Sequence, residues 1–212
     1  RKHASRHPKA QKRELITVDQ VLASKMISDP LHMLDCCLIS DGGAALVISS
    51  PAAARDTRGK AIEILGAGQG HTHEHILAAP SLVDFGCKTS SATAFARAGV
   101  AASDIDVAQI YDSFTITLAV ELESIGFFER GEAGVAAAAG ELGLGGKLPC
   151  NTHGGLLSYA HSGAAGGMFH AVEAVHRLRG TAEAPQVADA KLAFVHGDGG
   201  ILSAHCSLVL GV

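Results

Sequence analysis

The sequence contains no tryptophan and only two tyrosines, Tyr111 and Tyr159, and aromatic residues make up 4% of its 212 residues. No apolar run approaches the roughly 18 residues that cross a bilayer, so no spanning segment is expected. The five cysteines, at positions 36, 37, 87, 150 and 206, form no C-x-x-C pair and no zinc-ligand spacing. Their odd number points to reduced thiols in the cytoplasm rather than to a disulfide framework. Neither charge sign dominates, since 17 basic and 21 acidic side chains leave a formal net charge of −4. Nucleic acid is therefore not an expected partner. The one unbalanced stretch is RKHASRHPKAQKR at residues 1–13, which has no acid. It reads as a solvated basic helix and polar turn, with a transit peptide, a nucleic-acid arm or a phosphate contact as the other readings.

What is present is small and apolar. Hydrophobic residues make up 47% of the chain and glycine occurs 25 times, a composition suited to closely packed α/β layers. The run CCLISDGGAALVISS (36–50) reads as a buried strand broken by a bulge, and Pro51 opens a short helix. KAIEILGAGQG (60–70) reads as a second strand, residues 90–98 as a helix closed by Gly99, and DVAQIYD (106–112) as a third strand. A helix over 116–126 follows, then a glycine- and alanine-rich stretch to 149. Met168, Val172, Val175 and Leu178 recur at helical spacing before Gly180. Two apolar strands, 191–197 and 201–211, close the chain as a hairpin across Asp198-Gly199-Gly200. The expected fold is α/β, a five-stranded mixed sheet with helices on its faces.

Chemistry-bearing residues concentrate in three loops. The first is Tyr111-Asp112-Ser113-Phe114. The second, NTHGGLLSYAHSGAAGG (151–167), holds Asn151, Gly154, Gly155, Tyr159, His161 and Gly163. The third is His196-Gly197-Asp198-Gly199-Gly200. Glycines let a backbone approach a ligand closely and present N–H groups to it. A glycine turn with a packed histidine, and two packing aromatics, are the plainer alternatives. The HTHEH run places His71, His73 and His75 on one face if it is a strand, but no neighbouring ligand completes a metal set, and no metal is expected there. GAGQG (66–70) lacks the G-x-G-x-x-G register of a dinucleotide loop.

The tract SDGGAALVIS, the tetrad YDSF, the loop N-x-x-G-G-x-x-S-x-x-H-x-G-A-x-G and the final glycine turn occur in the order found in the C-terminal half of thiolases. Residues 33–212 resemble that half, closest to the sterol carrier protein x and lipid-transfer branch with its steroid side-chain aldolases. Residues 1–32 would then be a basic connecting segment. The resemblance implies an N-terminal half that this chain does not contain, a homodimer, and an OB-fold partner protein. It also implies a coenzyme A thioester as substrate, with no tightly bound cofactor.

The departures from the thiolase pattern carry information of their own. A phenol, Tyr111, replaces the family's water-holding asparagine. His161 keeps the place of the histidine that activates the nucleophile, and no cysteine opens the third loop, where His196 stands. The resemblance then implies retro-aldol cleavage of a 3-hydroxyacyl-CoA, with Tyr111 and Tyr159 as proton carriers, His161 in an oxyanion-hole or tuning role and His196 as a second base. Asn151, Gly154, Gly155, Gly163, Gly199 and Gly200 would frame the thioester. Thiolysis with a cysteine from the other half, and a non-catalytic acyl-CoA or lipid carrier, are the alternatives. Cys206 reads as a packing residue.

Overall fold

The computed structural model describes residues 1–56 and 59–212. Its elements are α1 (Val18–Leu22), β1 (Met26–Ser28), β2 (Leu31–His32), α2 (Pro51–Arg55), β3 (Glu63–His71), α3 (Gly86–Ala98), β4 (Val107–Ile110), α4 (Thr115–Ile125), α5 (Ala133–Ala139), α6 (Gly155–Ser158), α7 (Gly166–Arg179), β5 (Leu192–Gly199) and β6 (Ala204–Gly211). Among the described residues the main sheet has four strands in the order β3-β6-β5-β4, and β1 and β2 form a separate antiparallel ribbon. β5 pairs antiparallel with β6 and parallel with β4, so the sheet is mixed.

Strand alternation sorts the sheet into two faces. Ala108, Ile110, Phe194 and Val209 pack with residues of α3 and α4 in one core cluster. Their neighbours Val107, Ala193, Val195 and Leu210 pack with Ala171, Ala174 and Leu178 of α7 in the other. The glycines of GAGQG belong to this layering rather than to a nucleotide loop. A Cβ on Gly66, Gly68 or Gly70 would stand 2.0 to 2.1 Å from a carbonyl oxygen of α3, so β3 and α3 meet backbone to backbone.

The fifth strand does not form. Residues 36–50 run without regular structure, hydrogen-bonding instead to loop carbonyls: Cys37 N donates to Ser113 O, Leu38 N to Leu156 O and Ser40 N to His161 O. Ile39 is 99% and Val47 97% exposed. Of this segment, only Cys36 makes a strand-like contact among the described residues, an isolated bridge to Phe114. The basic start of the chain is also not a solvated helix. Residues 4–6 form a 3-10 turn with Ala4 fully buried, and Gln11 N and Lys12 N donate to the carbonyls of Tyr159 and Ser158.

Candidate functional site

The loop from 151 to 165 is anchored to β4 from underneath. Asn151 adopts a positive φ of 50°. Its Oδ1 accepts from Ile110 N and its Nδ2 donates to Ile110 O, each at 2.8 Å, as an extra rung beside the strand. Both polar atoms are thus spent on backbone, and Asn151 frames the loop rather than facing a ligand. Below it, Gln109 Nε2 donates to Thr152 Oγ1, which donates to Glu173 Oε1, and Glu173 pairs with Arg177 at 2.7 Å. This buried network, in which only Gln109 Oε1 lacks a partner, ties the loop to β4 and α7.

Asp112 is the second anchor. Its carboxylate accepts from Leu156 N at 2.7 Å and Leu157 N at 3.3 Å, satisfying free donors at the start of α6. Gly155 lies so close that a Cβ there would come within 2.1 Å of Asp112 Oδ2, and its φ is +65°. Gly154 packs in the same manner on Ala4. These two glycines let the loop pack tightly on Asp112 and Ala4, whereas Gly163, Gly199 and Gly200 are exposed.

The product of this anchoring is a hydrogen-bonded pair. Tyr111 Oη lies 2.9 Å from His161 Nε2, and His161 Nδ1 lies 3.2 Å from both Leu38 O and Cys37 Sγ. The Leu38 carbonyl only accepts, so Nδ1 carries the ring proton and Nε2 presents a lone pair to the phenol O–H. Gly166 and Gly167, at the start of α7, border the pair: a Cβ on Gly166 would meet His161 Cδ2 at 2.6 Å, and one on Gly167 would stand 3.9 Å from the Tyr111 ring. The first N–H groups of this 14-residue helix have no intrahelical acceptor.

Burial, then the charges of Asp198, Cys37 and Asp112, pushes Tyr111 up to about 12. At neutral pH it is a phenol that donates a proton, not a phenolate. Burial first and the Asp112 charge second also raise Cys37, which leaves its thiol protonated. Cys37 joins the site without a place in the sequence motifs, and Asp112, part of the first loop, takes an anchoring role that the motif did not assign. Their only signal was local, a Cys-Cys pair and an acid next to Tyr111, while their partners lie many positions away.

The other expected site residues stand apart from this pair. The Tyr159 ring meets His7, His153 and Phe169 and borders a cavity of about 140 Å³ with Glu173 and Glu183. It connects to Tyr111 only through rings, by way of His153 and His170. His196 shares the parity of Phe194 and points to the α3/α4 face, opposite Tyr111. It is fully buried, its Nδ1 2.9 Å from Ser207 Oγ and its Nε2 3.1 Å from His205 Nδ1. Its placement as a second base beside Tyr111 is thereby corrected, because a residue at the wrong parity of a strand faces the wrong layer. Asp198, whose carboxyl burial pushes up to about 7, acts electrostatically on Tyr111 from the end of β5. His71, His73 and His75 do not share a strand face, since β3 ends at His71.

The chain matches the Thiolase C-terminal domain-like family over residues 68–212. It is 41% identical to a steroid side-chain-cleaving aldolase of Thermomonospora curvata over 85% of this chain and 47% of that protein. It is 34% identical to an acetyl-CoA acetyltransferase of Methanothermobacter thermautotrophicus over 93% of this chain and 52% of that protein. The solved Ltp2-ChsH2(DUF35) aldolase superposes with a TM-score of 0.90 at 38% identity, covering 100% of this chain and 56% of that one. The chain thus spans about half the length of the relatives it matches.

Proposed function

We propose, from the premise that this chain belongs to the Thiolase C-terminal domain-like family, that its protein is an acyl-CoA lyase cleaving a 3-hydroxyacyl-CoA by a retro-aldol step. The observation that carries this reading is the Tyr111–His161 hydrogen bond, a proton relay at the place where thiolysis would need a water holder. Tyr111 Oη takes the proton of the β-hydroxyl as its own proton passes to His161 Nε2. The Cα–Cβ bond then breaks, its electron pair forming the thioester enolate and leaving a carbonyl compound. In this reading the N–H groups that follow Gly166 in the first turn of α7 stabilise the enolate oxygen, the Gly166 N–H itself donating to Gly163 O. The proton held on His161 returns through Tyr111 to the α-carbon, so no net proton is consumed and no acyl-enzyme forms.

The resemblance to a steroid side-chain-cleaving aldolase favours a sterol or steroid side-chain acyl-CoA as the substrate class. A partner protein, as in the Ltp2-ChsH2(DUF35) assembly, and a homodimeric arrangement are part of this reading. Tyr159 has a lesser part in this reading, since the ring nitrogens of His153 and His170, which lie between it and Tyr111, have no hydrogen-bond partner. No described helix is long and apolar enough to cross a membrane, and five unpaired cysteines suit a reducing cytoplasm.

A second reading has one observation behind it, the similarity to an acetyl-CoA acetyltransferase. Under that reading a cysteine from another part of the protein would be acylated, with His161 activating it. The assembled protein distinguishes the two. Release of a ketone or aldehyde from a 3-hydroxyacyl-CoA without free CoA supports the lyase. Cleavage of a 3-ketoacyl-CoA only when CoA is supplied overturns it.

A further inference from the structure

On the opposite face of the sheet lies a second cluster that the Tyr111 chemistry does not use. Glu121 of α4, His196 of β5 and His205 of β6 are all buried, and one ligand atom from each lies within 4.8 Å of the others. His196 Nε2 stands 3.1 Å from His205 Nδ1 and 3.6 Å from Glu121 Oε1. Neither oxygen of Glu121, which is 0% exposed, has a hydrogen-bond partner.

The protons around this cluster can be placed from groups that only accept. Ser90 Oγ donates to Cys87 O at 3.1 Å, so at its 2.8 Å contact with Ser207 Oγ it accepts. Ser207 has then spent its proton on Ser90, and at 2.9 Å it accepts from His196 Nδ1–H. The lone pair of His196 is therefore on Nε2. His205 Nε2 faces Leu202 O at 2.9 Å and must donate, which leaves the lone pair of His205 on Nδ1. Two imidazole lone pairs and an unpartnered carboxylate thus converge on one point. Three acceptors sealed together are costly unless a cation lies among them.

We propose that Glu121, His196 and His205 bind a zinc ion that ties α4 to the β5–β6 hairpin. At Zn–N and Zn–O distances of about 2.0–2.2 Å, ligand atoms of a tetrahedral ion stand roughly 3.3–3.6 Å apart. The two separations from His196, 3.1 and 3.6 Å, lie close to that edge, while the Glu121–His205 gap is wider, within 4.8 Å, and closes by a small side-chain shift when the ion binds. Two histidines and one carboxylate are a zinc donor set with one position left for water. The Ser207–Ser90 pair serves as the outer shell, fixing the tautomer and ring plane of His196. Asp198, two residues from His196, has one buried, unpartnered oxygen. This site is independent of the reading of the Tyr111–His161 pair.

The test uses the full-length protein that carries this chain. Metal content is measured after purification without added metal, and cobalt(II) is titrated into chelator-treated protein. Expected are about one zinc per chain and the intense visible absorption of four-coordinate cobalt(II). Glu121→Gln, nearly isosteric, abolishes that absorption. Ser207→Ala leaves the three ligands in place and weakens cobalt affinity about 10- to 100-fold; it decides the matter if Glu121→Gln does not fold. Folded protein with no stoichiometric metal and no cobalt absorption overturns the proposal, and a proton then holds the three groups together. Metal that binds with unchanged affinity in both variants sits elsewhere and overturns it equally.

Discussion

Tyr111, just past the end of β4, and His196, within the neighbouring β5, are joined by a hydrogen bond from Tyr111 N to His196 O at 3.1 Å, yet their side chains enter different worlds. The Tyr111 face, covered by α7, is left half-open: His161, Gly163 and the phenol itself all retain contact with solvent. The His196 face, covered by α3 and α4, is sealed, and burial holds the imidazole of His196 well below its ordinary pKa. Both faces assemble histidines with a carboxylate, Asp112 on one and Glu121 on the other. The difference is what the carboxylate does. Asp112 is consumed by backbone N–H groups and positions a loop, whereas Glu121 has no donor and awaits a cation. On the proposed readings, similar residues serve turnover on the half-open face and cohesion on the sealed one.

The comparison breaks most sharply at the phenol. Tyr111→Phe removes the relay while leaving the ring, and activity in releasing a carbonyl compound from a 3-hydroxyacyl-CoA is expected to fall about 10²- to 10⁴-fold. Retained activity would move the chemistry off this face altogether. Next in size is an effect on stability. Gly155→Ala places a Cβ against Asp112 at a positive φ, and denaturant unfolding is expected to show a loss on the order of 3 kcal/mol. Gly163→Ala also strains a positive φ but meets no atom within 4 Å, so it is expected to cost less, about 1 kcal/mol. Equal losses at the two positions would mean that the Asp112 anchor does not tighten the loop.

A smaller effect is expected at the other tyrosine. Tyr159→Phe removes a hydroxyl that lies beyond two histidine rings from Tyr111, and its loss is expected to lower turnover less than about tenfold, well short of direct acid–base participation. A loss equal to that of Tyr111→Phe would show that substrate reaches the cavity beside His7 and Glu183.

How much of this was legible before the fold was known differs by element. The helices ending at Gly99, Gly126 and Gly180 and the closing hairpin were readable because their signals are local: a periodic apolar stripe and a left-handed glycine cap. The Tyr111–His161 pair was reachable through the motif, although its residues are 50 apart. The run at 36–50 was misread because an apolar stretch becomes a strand only where another strand awaits it, and its donors go to loop carbonyls instead. His196 was misassigned for a related reason. The sequence places it at a strand end, but which layer it faces is decided by register with β4 and β6, which is not a local property. Cys37 was invisible as a neighbour of His161 because a single thiol has no pattern to match.

The smallest effect concerns the proton on Tyr111 itself. Its folded pKa, about 12, lies above the ordinary phenol value of about 10. Below about pH 10 both folded and unfolded chains keep the proton, and Tyr111 adds no pH dependence. As pH rises from about 10 toward 12 the unfolded chain ionises first, so the folded state loses stability over that window. Denaturant midpoints are therefore expected to drop more steeply with pH in the wild type than in Tyr111→Phe, since other groups titrate alike in both. Phenolate absorbance, taken as the difference between the two proteins, is expected to appear only toward pH 12. If that difference titrates near 10 instead, the phenol is open to water like any surface tyrosine. The contrast between a half-open catalytic face and a sealed binding face would then rest on His196, His205 and Glu121 alone.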